Sequence, residues 1–113
     1  ATSKKEEFAK RDQEFANLAK CLSHPARVTI LFILSKHKDC TCKEIVFELP
    51  LSQPTVSRHL KELLGAGLIC RKFHGAQSLY CIEWNKLERF FYLTNRFSEL
   101  TLPIDQSEIV VNY

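Results

Sequence analysis

The stretch "LSQPTVSRHLKELLGAGLICRKFHGAQSLYCI", residues 51–82, decides the fold, because it reads as a helix that stops at two glycines and runs straight into an alternating hairpin. Ser52 stands where an N-cap belongs, and Pro54 falls in the first turn, where a missing N–H costs nothing. Gly65 and Gly67 suit a left-handed C-cap. Beyond them the residues alternate around Gly75 and Ala76, the pattern of two antiparallel strands joined by a two-residue turn. At about 100° per residue, Leu60, Leu63 and Leu64 cluster near Val56 and form the buried face. Opposite them lie Pro54, Thr55, Arg58, Lys61 and Glu62, with Ser57 and His59 at the boundary.

Upstream, "TCKEIVFEL" is a short helix with Thr41 as cap, Glu44 as its capping-box partner, and an end before Pro50. "SHPARVTILFILSKHK" is a helix starting near His24, with Ser23 as the expected N-cap; it is apolar nearly all round from Val28 to Leu34 and therefore central. "KKEEFAKRDQEFANLAKCL" places Phe8, Phe15, Leu18 and Leu22 on one face of a first helix. Downstream, "WNKLERFFYLTNRFSEL" returns to helical spacing with Trp84, Leu87, Phe90, Phe91, Phe97 and Leu100. The expectation is a mainly α chain with a small β-hairpin wing, a winged helix-turn-helix of four helices, two strands and a fifth helix. It is one domain over residues 1–113, with its core at 14–100 and a tail at 101–113 that gives no firm signal.

A chain of 113 residues, 45% apolar and 26% charged, has material for one core. Its net charge of +3 is small, but its placement is informative. Between Leu51 and Ile82, Arg58, Lys61, Arg71 and Lys72 face Glu62 alone, so the whole excess lies on the helix and hairpin. Five cysteines, an odd number, and the lack of an apolar leader point to a reducing cytoplasm. The longest aliphatic run, "VTILFIL" at 28–34, is too short to cross a bilayer, so no membrane is expected.

The helix alone reads equally well as a solvated face; the basic hairpin favours DNA. Arg71, Lys72 and His74 lie on or near a hairpin leaving the same helix, so helix and wing can meet one duplex, the first at base edges and the second at phosphates. Ser52 and Gln53 add donors at a helix N-terminus, where phosphate oxygens are favoured. The residues expected to bind DNA are Ser52, Gln53, Thr55, Ser57, Arg58, His59, Lys61, Arg71, Lys72 and His74, with His59 either on DNA or in an intramolecular hydrogen bond.

At these residues the chain resembles the ArsR/SmtB family of bacterial winged-helix repressors. The pieces that carry the likeness are "LSHPARVTILFIL", "CTCKEI", "LSQPTVSRHLKELLGAGLI" and "RKFHGAQSLY", within residues 14–92. The resemblance implies a homodimer, joined through the first and last helices, that binds a two-fold DNA operator and leaves it when an effector binds. The residues expected at such an interface are Phe8, Phe15, Leu87, Phe90, Phe91, Phe97 and Leu100, an apolar set too large for one small domain to cover. Many members that sense thiophilic metals carry a Cys-x-Cys pair where this chain has Cys40 and Cys42, which would imply a soft ion such as zinc, cadmium or arsenic. The usual third thiolate is missing, since Ile45 holds its place after the pair and residues 1–20 contain no cysteine. The family's other site, on the last helix, is absent because residues 84–102 contain no histidine. Sensor and plain packing both stay open for Cys40 and Cys42.

Cys70 and Cys81 fall opposite each other if the turn is at Gly75-Ala76. The favoured reading is two small buried hydrophobes; the alternative is a disulfide, which in a cytosol would be a redox switch rather than a staple. Two other function classes compete with DNA binding. A protein-interaction winged helix would show an acidic or apolar face where Arg58 and Lys61 stand. A thiol enzyme would need a glycine-rich loop, paired carboxylates or a nucleophile elbow beside Cys40 or Cys42, and the chain offers none, so no enzymatic activity is expected.

Overall fold

The computed structural model describes residues 4–102; of the expected tail at 101–113, Thr101 instead closes the last helix, and 103–113 lie outside the described residues. A 3-10 segment at Lys4–Glu7 precedes α1 (Lys10–Cys21), α2 (Pro25–His37), α3 (Cys42–Phe47) and α4 (Gln53–Gly65). β1 (Ile69–His74) and β2 (Gln77–Ile82) form the wing, and α5 (Trp84–Thr101) follows. This is the winged helix-turn-helix that the pattern predicts.

The helix signals hold with local changes. Thr41 Oγ1 accepts the Glu44 N–H at 3.2 Å, capping α3 as expected, whereas the Glu44 carboxylate accepts from the Thr41 hydroxyl at 3.1 Å rather than from the Thr41 backbone N–H that a capping box uses. His24 rather than Ser23 caps α2: its Nδ1 accepts the Ala26 N–H at 3.2 Å, whereas Ser23 Oγ donates back to the Lys20 carbonyl. Phe8 is displaced from its expected place on α1. The helix begins only at Lys10, so Phe8 precedes it and stands 65% exposed.

At the end of α4 the two glycines divide the work. Gly65 stays helical, and Gly67 takes φ +77°. The Leu68 N–H bonds to the Leu63 carbonyl and the Gly67 N–H to the Leu64 carbonyl, the paired bonds of a Schellman stop. The chain leaves this turn directly into β1. In the hairpin Cys70 pairs with Cys81 and His74 with Gln77, around the Gly75-Ala76 turn, as the alternation predicts. Cys40 adds a bridge to Tyr80 on the free edge of β2.

Ile30 and Leu34 of α2 meet Ile45, Val56, Leu60, Leu63, Leu68 and Leu93 in the core, all nearly or wholly buried. The α4 face is the expected one, with Leu64 only half-buried. α2 is less enclosed than its composition suggests, because Phe32 points to solvent. α1 is tied to α5 by Phe15, whose ring stacks on Phe90 at a centroid distance of 5.8 Å and meets Phe97 in a tilted contact at 5.3 Å. Glu14 accepts a two-pronged bond from Arg89, at 3.1 Å from Nε and 2.9 Å from Nη2. That bond, aided by the nearby Lys86, holds the Glu14 carboxyl below its usual range against the opposing effect of burial.

Candidate nucleic-acid interface

The inward leucines of α4 fix which residues it presents to solvent. Ser52, Gln53, Ser57, Arg58 and Lys61 are exposed, and Thr55 is half-buried with its Oγ1 3.0 Å from Ser52 Oγ. Ser52 occupies the N-cap position but makes no side-chain bond to the helix amides. The first amides of α4 therefore lack the usual side-chain acceptor. On the wing Arg71, Lys72 and His74 are exposed; Arg71 lies over the Phe73 ring at 5.2 Å, and Lys72 Nζ is 3.8 Å from Asp39. The Schellman turn sets these wing cations immediately after the helix that carries Arg58 and Lys61.

His59 departs from the exposed group. It is 7% exposed, its Nδ1 accepts from Arg27 Nε at 3.2 Å, and its ring lies 4.3 Å from that of His24. Of the two expected roles it takes the intramolecular one, because the inward turn of α4 brings it against α2. Burial, then the neighbouring His24, Arg27 and Arg58, push its pKa below the ordinary 6.5. Arg27 also donates to the Cys21 carbonyl at 3.1 Å, so one guanidinium links the end of α1 to α4. Sequence spacing did not single out Arg27.

Cys40 and Cys42 diverge. Cys40 is 2% exposed and bound into the bridge with Tyr80, and burial, reinforced by Glu44, Glu48 and Asp39, raises its thiol pKa. Cys42 is half-buried with its Sγ 3.6 Å from Ser57 Oγ on α4. His37 is bonded to Glu48 at 3.2 Å, and Cys21 donates toward the Glu62 carbonyl at 3.8 Å, so neither joins the pair. Among the described residues no three His, Cys, Asp or Glu side chains could hold a metal ion. This donor set does not fit a soft metal, which needs deprotonated thiolates in a closed set.

The wing cysteines correct the favoured reading: Cys70 and Cys81 form a disulfide, with Cα atoms 5.2 Å apart. Their register makes the pairing geometrically possible; the preference for free thiols rests on the general behaviour of strand cysteines as small buried hydrophobes. The expected interface residues separate into two groups. Phe15, Leu87 and Phe90 are half-buried against the chain's own core, whereas Phe8, Phe91, Phe97 and Leu100 are exposed, as are Trp84 and Tyr92.

Comparison with known proteins gives this geometry a context. The family model for bacterial regulatory proteins of the arsR family matches residues 24–70. The chain is 35% identical to the transcriptional repressor PagR of Bacillus anthracis over 83 residues, 74% of this chain and 83% of that protein. It is 34% identical to an arsenical resistance operon repressor of Staphylococcus xylosus over 76 residues, 67% of this chain and 72% of that one. The crystal structure of PagR aligns with a TM-score of 0.62 over 74% of this chain and 94% of its own. A homodimeric winged helix-turn-helix DNA-binding domain from Mycobacterium bovis, 22% identical, aligns with a TM-score of 0.63 over 82% of this chain and 85% of its own, a likeness of fold. On this sequence identity and coverage, the chain belongs to the ArsR family of bacterial regulatory proteins.

Proposed function

We propose that this protein is a transcriptional repressor that binds double-stranded operator DNA as a homodimer, with α4 in the major groove and the wing on flanking phosphates. The observation that carries the reading is the outward set Arg58, Lys61, Ser57 and Gln53, opposite a fully buried Val56-Leu60-Leu63 face and followed directly by the basic wing. Arg58 and Gln53 supply donors suited to base edges, and Lys61, Arg71 and Lys72 supply charge for phosphates. The uncapped start of α4 offers amides to a phosphate oxygen. The exposed Phe91, Phe97 and Leu100 of α5 and Phe8 beside α1 support a two-fold interface, as does the homodimeric state of the M. bovis neighbour. Both PagR and the staphylococcal relative are repressors. The test is fluorescence anisotropy on labelled duplexes at several salt concentrations, with Arg58→Ala and Lys72→Ala beside the wild type. Loss in both variants supports the reading, and unchanged affinity in both removes DNA from it.

A second reading adds release by a thiol-directed oxidant at Cys40 and Cys42, favoured by the contact of Cys42 with Ser57 on α4. Titrating the DNA complex with a mild oxidant, in wild type and in Cys40→Ser/Cys42→Ser, decides it. Release of the wild type alone supports the sensor; equal behaviour of the two proteins reduces the pair to packing.

A further inference from the structure

The wing is a two-stranded hairpin whose residues from Arg71 to Gln77 are all exposed, and an isolated pair of strands is marginally stable in water. Its root carries the attachments. Ile69 and Ile82 are buried in the core, and the Cys40–Tyr80 bridge holds the outer edge of β2, with N···O distances of 3.0 and 2.7 Å. The Cys70–Cys81 disulfide lies between the Ile69–Ile82 pair and the basic residues, one residue before Arg71, whose cross-strand partner Tyr80 is the residue that the Cys40 bridge holds.

The bond is not sealed inside the protein. Both cysteines line an open cavity of about 390 Å³ that they share with Lys38, Asp39, Lys72, Glu83 and Trp84. Cys81 is buried, and Cys70 is half-buried, so Cys70 is the sulfur a small thiol reaches first. The wall opposite the bond is an unusual turn. Lys38 has φ 68° and ψ −79°, and the Asp39 N–H bonds to the His37 carbonyl at 2.9 Å, a tight turn that a residue with a side chain rarely adopts. This turn delivers Cys40 to Tyr80 and Asp39 to Lys72, so the segment that braces the wing also borders the disulfide.

The geometry points to Cys70–Cys81 as a reversible dithiol–disulfide site that sets how firmly the wing is held, and through the wing how tightly DNA is gripped; the DNA half of this inference rests on the function proposed above. In the reducing direction the thiolate of a small dithiol attacks Cys70 Sγ. The Cys70–Cys81 bond breaks, a mixed disulfide forms on Cys70, and the Cys81 thiolate leaves and takes a proton. The second sulfur of the dithiol then displaces Cys70, which is protonated in turn. Two electrons and two protons have passed from the dithiol, now a cyclic disulfide, to the protein. A glutathione-type disulfide reverses the exchange and departs as two thiols. With the bond closed the cations are held on an ordered hairpin, and less ordering remains to be done when they meet phosphates. With it open, the wing depends on the Cys40–Tyr80 bridge and the buried isoleucine pair.

The test uses the full chain, equilibrated in glutathione buffers from oxidising to reducing. Alkylation after denaturation and mass measurement should count three thiols in the oxidised form and all five in the reduced one. Hydrogen exchange of the cross-strand amides between Lys72 and Leu79 should quicken several-fold on reduction. Affinity for duplex DNA should fall about three- to tenfold, within the range that small coupling energies give. Cys70→Ser/Cys81→Ser should match the reduced wild type in both readouts and ignore the buffer; Cys70→Ala/Cys81→Ala serves if the serine pair fails to fold. Five thiols in every buffer, or a bond that forms without changing exchange in the wing, overturns the inference. If exchange responds but neither form binds any duplex, the redox site stands and the DNA-binding function falls.

Discussion

Arg58 and Lys72 are both exposed cations, yet they should fail differently when removed. If Arg58 reads a base edge, Arg58→Ala costs about 1 to 3 kcal/mol on the preferred site and relaxes selection there. Lys72→Ala should weaken all duplexes alike and lower the salt slope by about 1, because a phosphate contact carries no sequence information. Lys72 is exposed, and its Nζ lies 3.8 Å from a buried Oδ1 of the half-buried Asp39, too far for a hydrogen bond. His59 gives a third residue-level expectation. Its neutral ring accepts from Arg27, and its folded pKa lies below the ordinary 6.5, chiefly through burial. The stabilisation is therefore present above about pH 6.5 and lost as pH falls below it, when the unfolded chain takes up the proton first. Denaturant titrations across that window should show wild type losing stability more steeply than His59→Gln; parallel curves would contradict the assignment. His59 looked like a boundary residue on the helical projection, but it lies about 60° from Val56, beside Leu63. That angle was the available signal, and the partner that settles it, Arg27, sits on another helix, beyond the reach of local periodicity.

Among the elements, those fixed by local chemistry were legible and those fixed by tertiary contacts were not. The Thr41 cap of α3, the proline-led starts of α2 and α4, and the hairpin register all follow from neighbours within a few residues. The choice of His24 over Ser23 as cap was not legible, since both can accept from the amide and the His24 ring is also placed by contact with His59. The division between Gly65 and Gly67 depends on where the Schellman bonds close. Gly67→Ala should cost about 1 kcal/mol, because an L side chain is disfavoured at φ +77°. The added Cβ meets only the Lys86 side chain at an ordinary 3.6 Å, so the penalty is conformational. Gly65→Ala, inside the helix with nothing near its Cβ, should instead stabilise by about 0.5 to 1 kcal/mol. A urea-melt comparison of the two variants checks the sign at each position.

For the whole molecule, the apolar residues still exposed on α5 define the expectation. Phe90 and Phe97 already pack on Phe15, and Phe91 and Leu100 stand exposed on either side of that face of α5. Light scattering at micromolar concentration should give twice the chain mass, and Phe91→Glu/Leu100→Glu should give the monomer with the helical content retained. Two-fold pairing would place the two copies of α4 about 34 Å apart, one turn of DNA. The composition and charge placement made a DNA-binding domain legible, whereas the disulfide in the wing was not, because a pair in register is compatible with either oxidation state. The most direct measurement of the central claim is affinity selection from a pool of randomised duplexes with the wild-type protein, repeated with Arg58→Ala. The account predicts enrichment of a two-fold symmetric site, with half-sites about one helical turn apart, and loss of preference at matched positions in both halves for the variant. Retention of duplexes without any enriched sequence, or an enriched site that Arg58→Ala selects equally well, would contradict it.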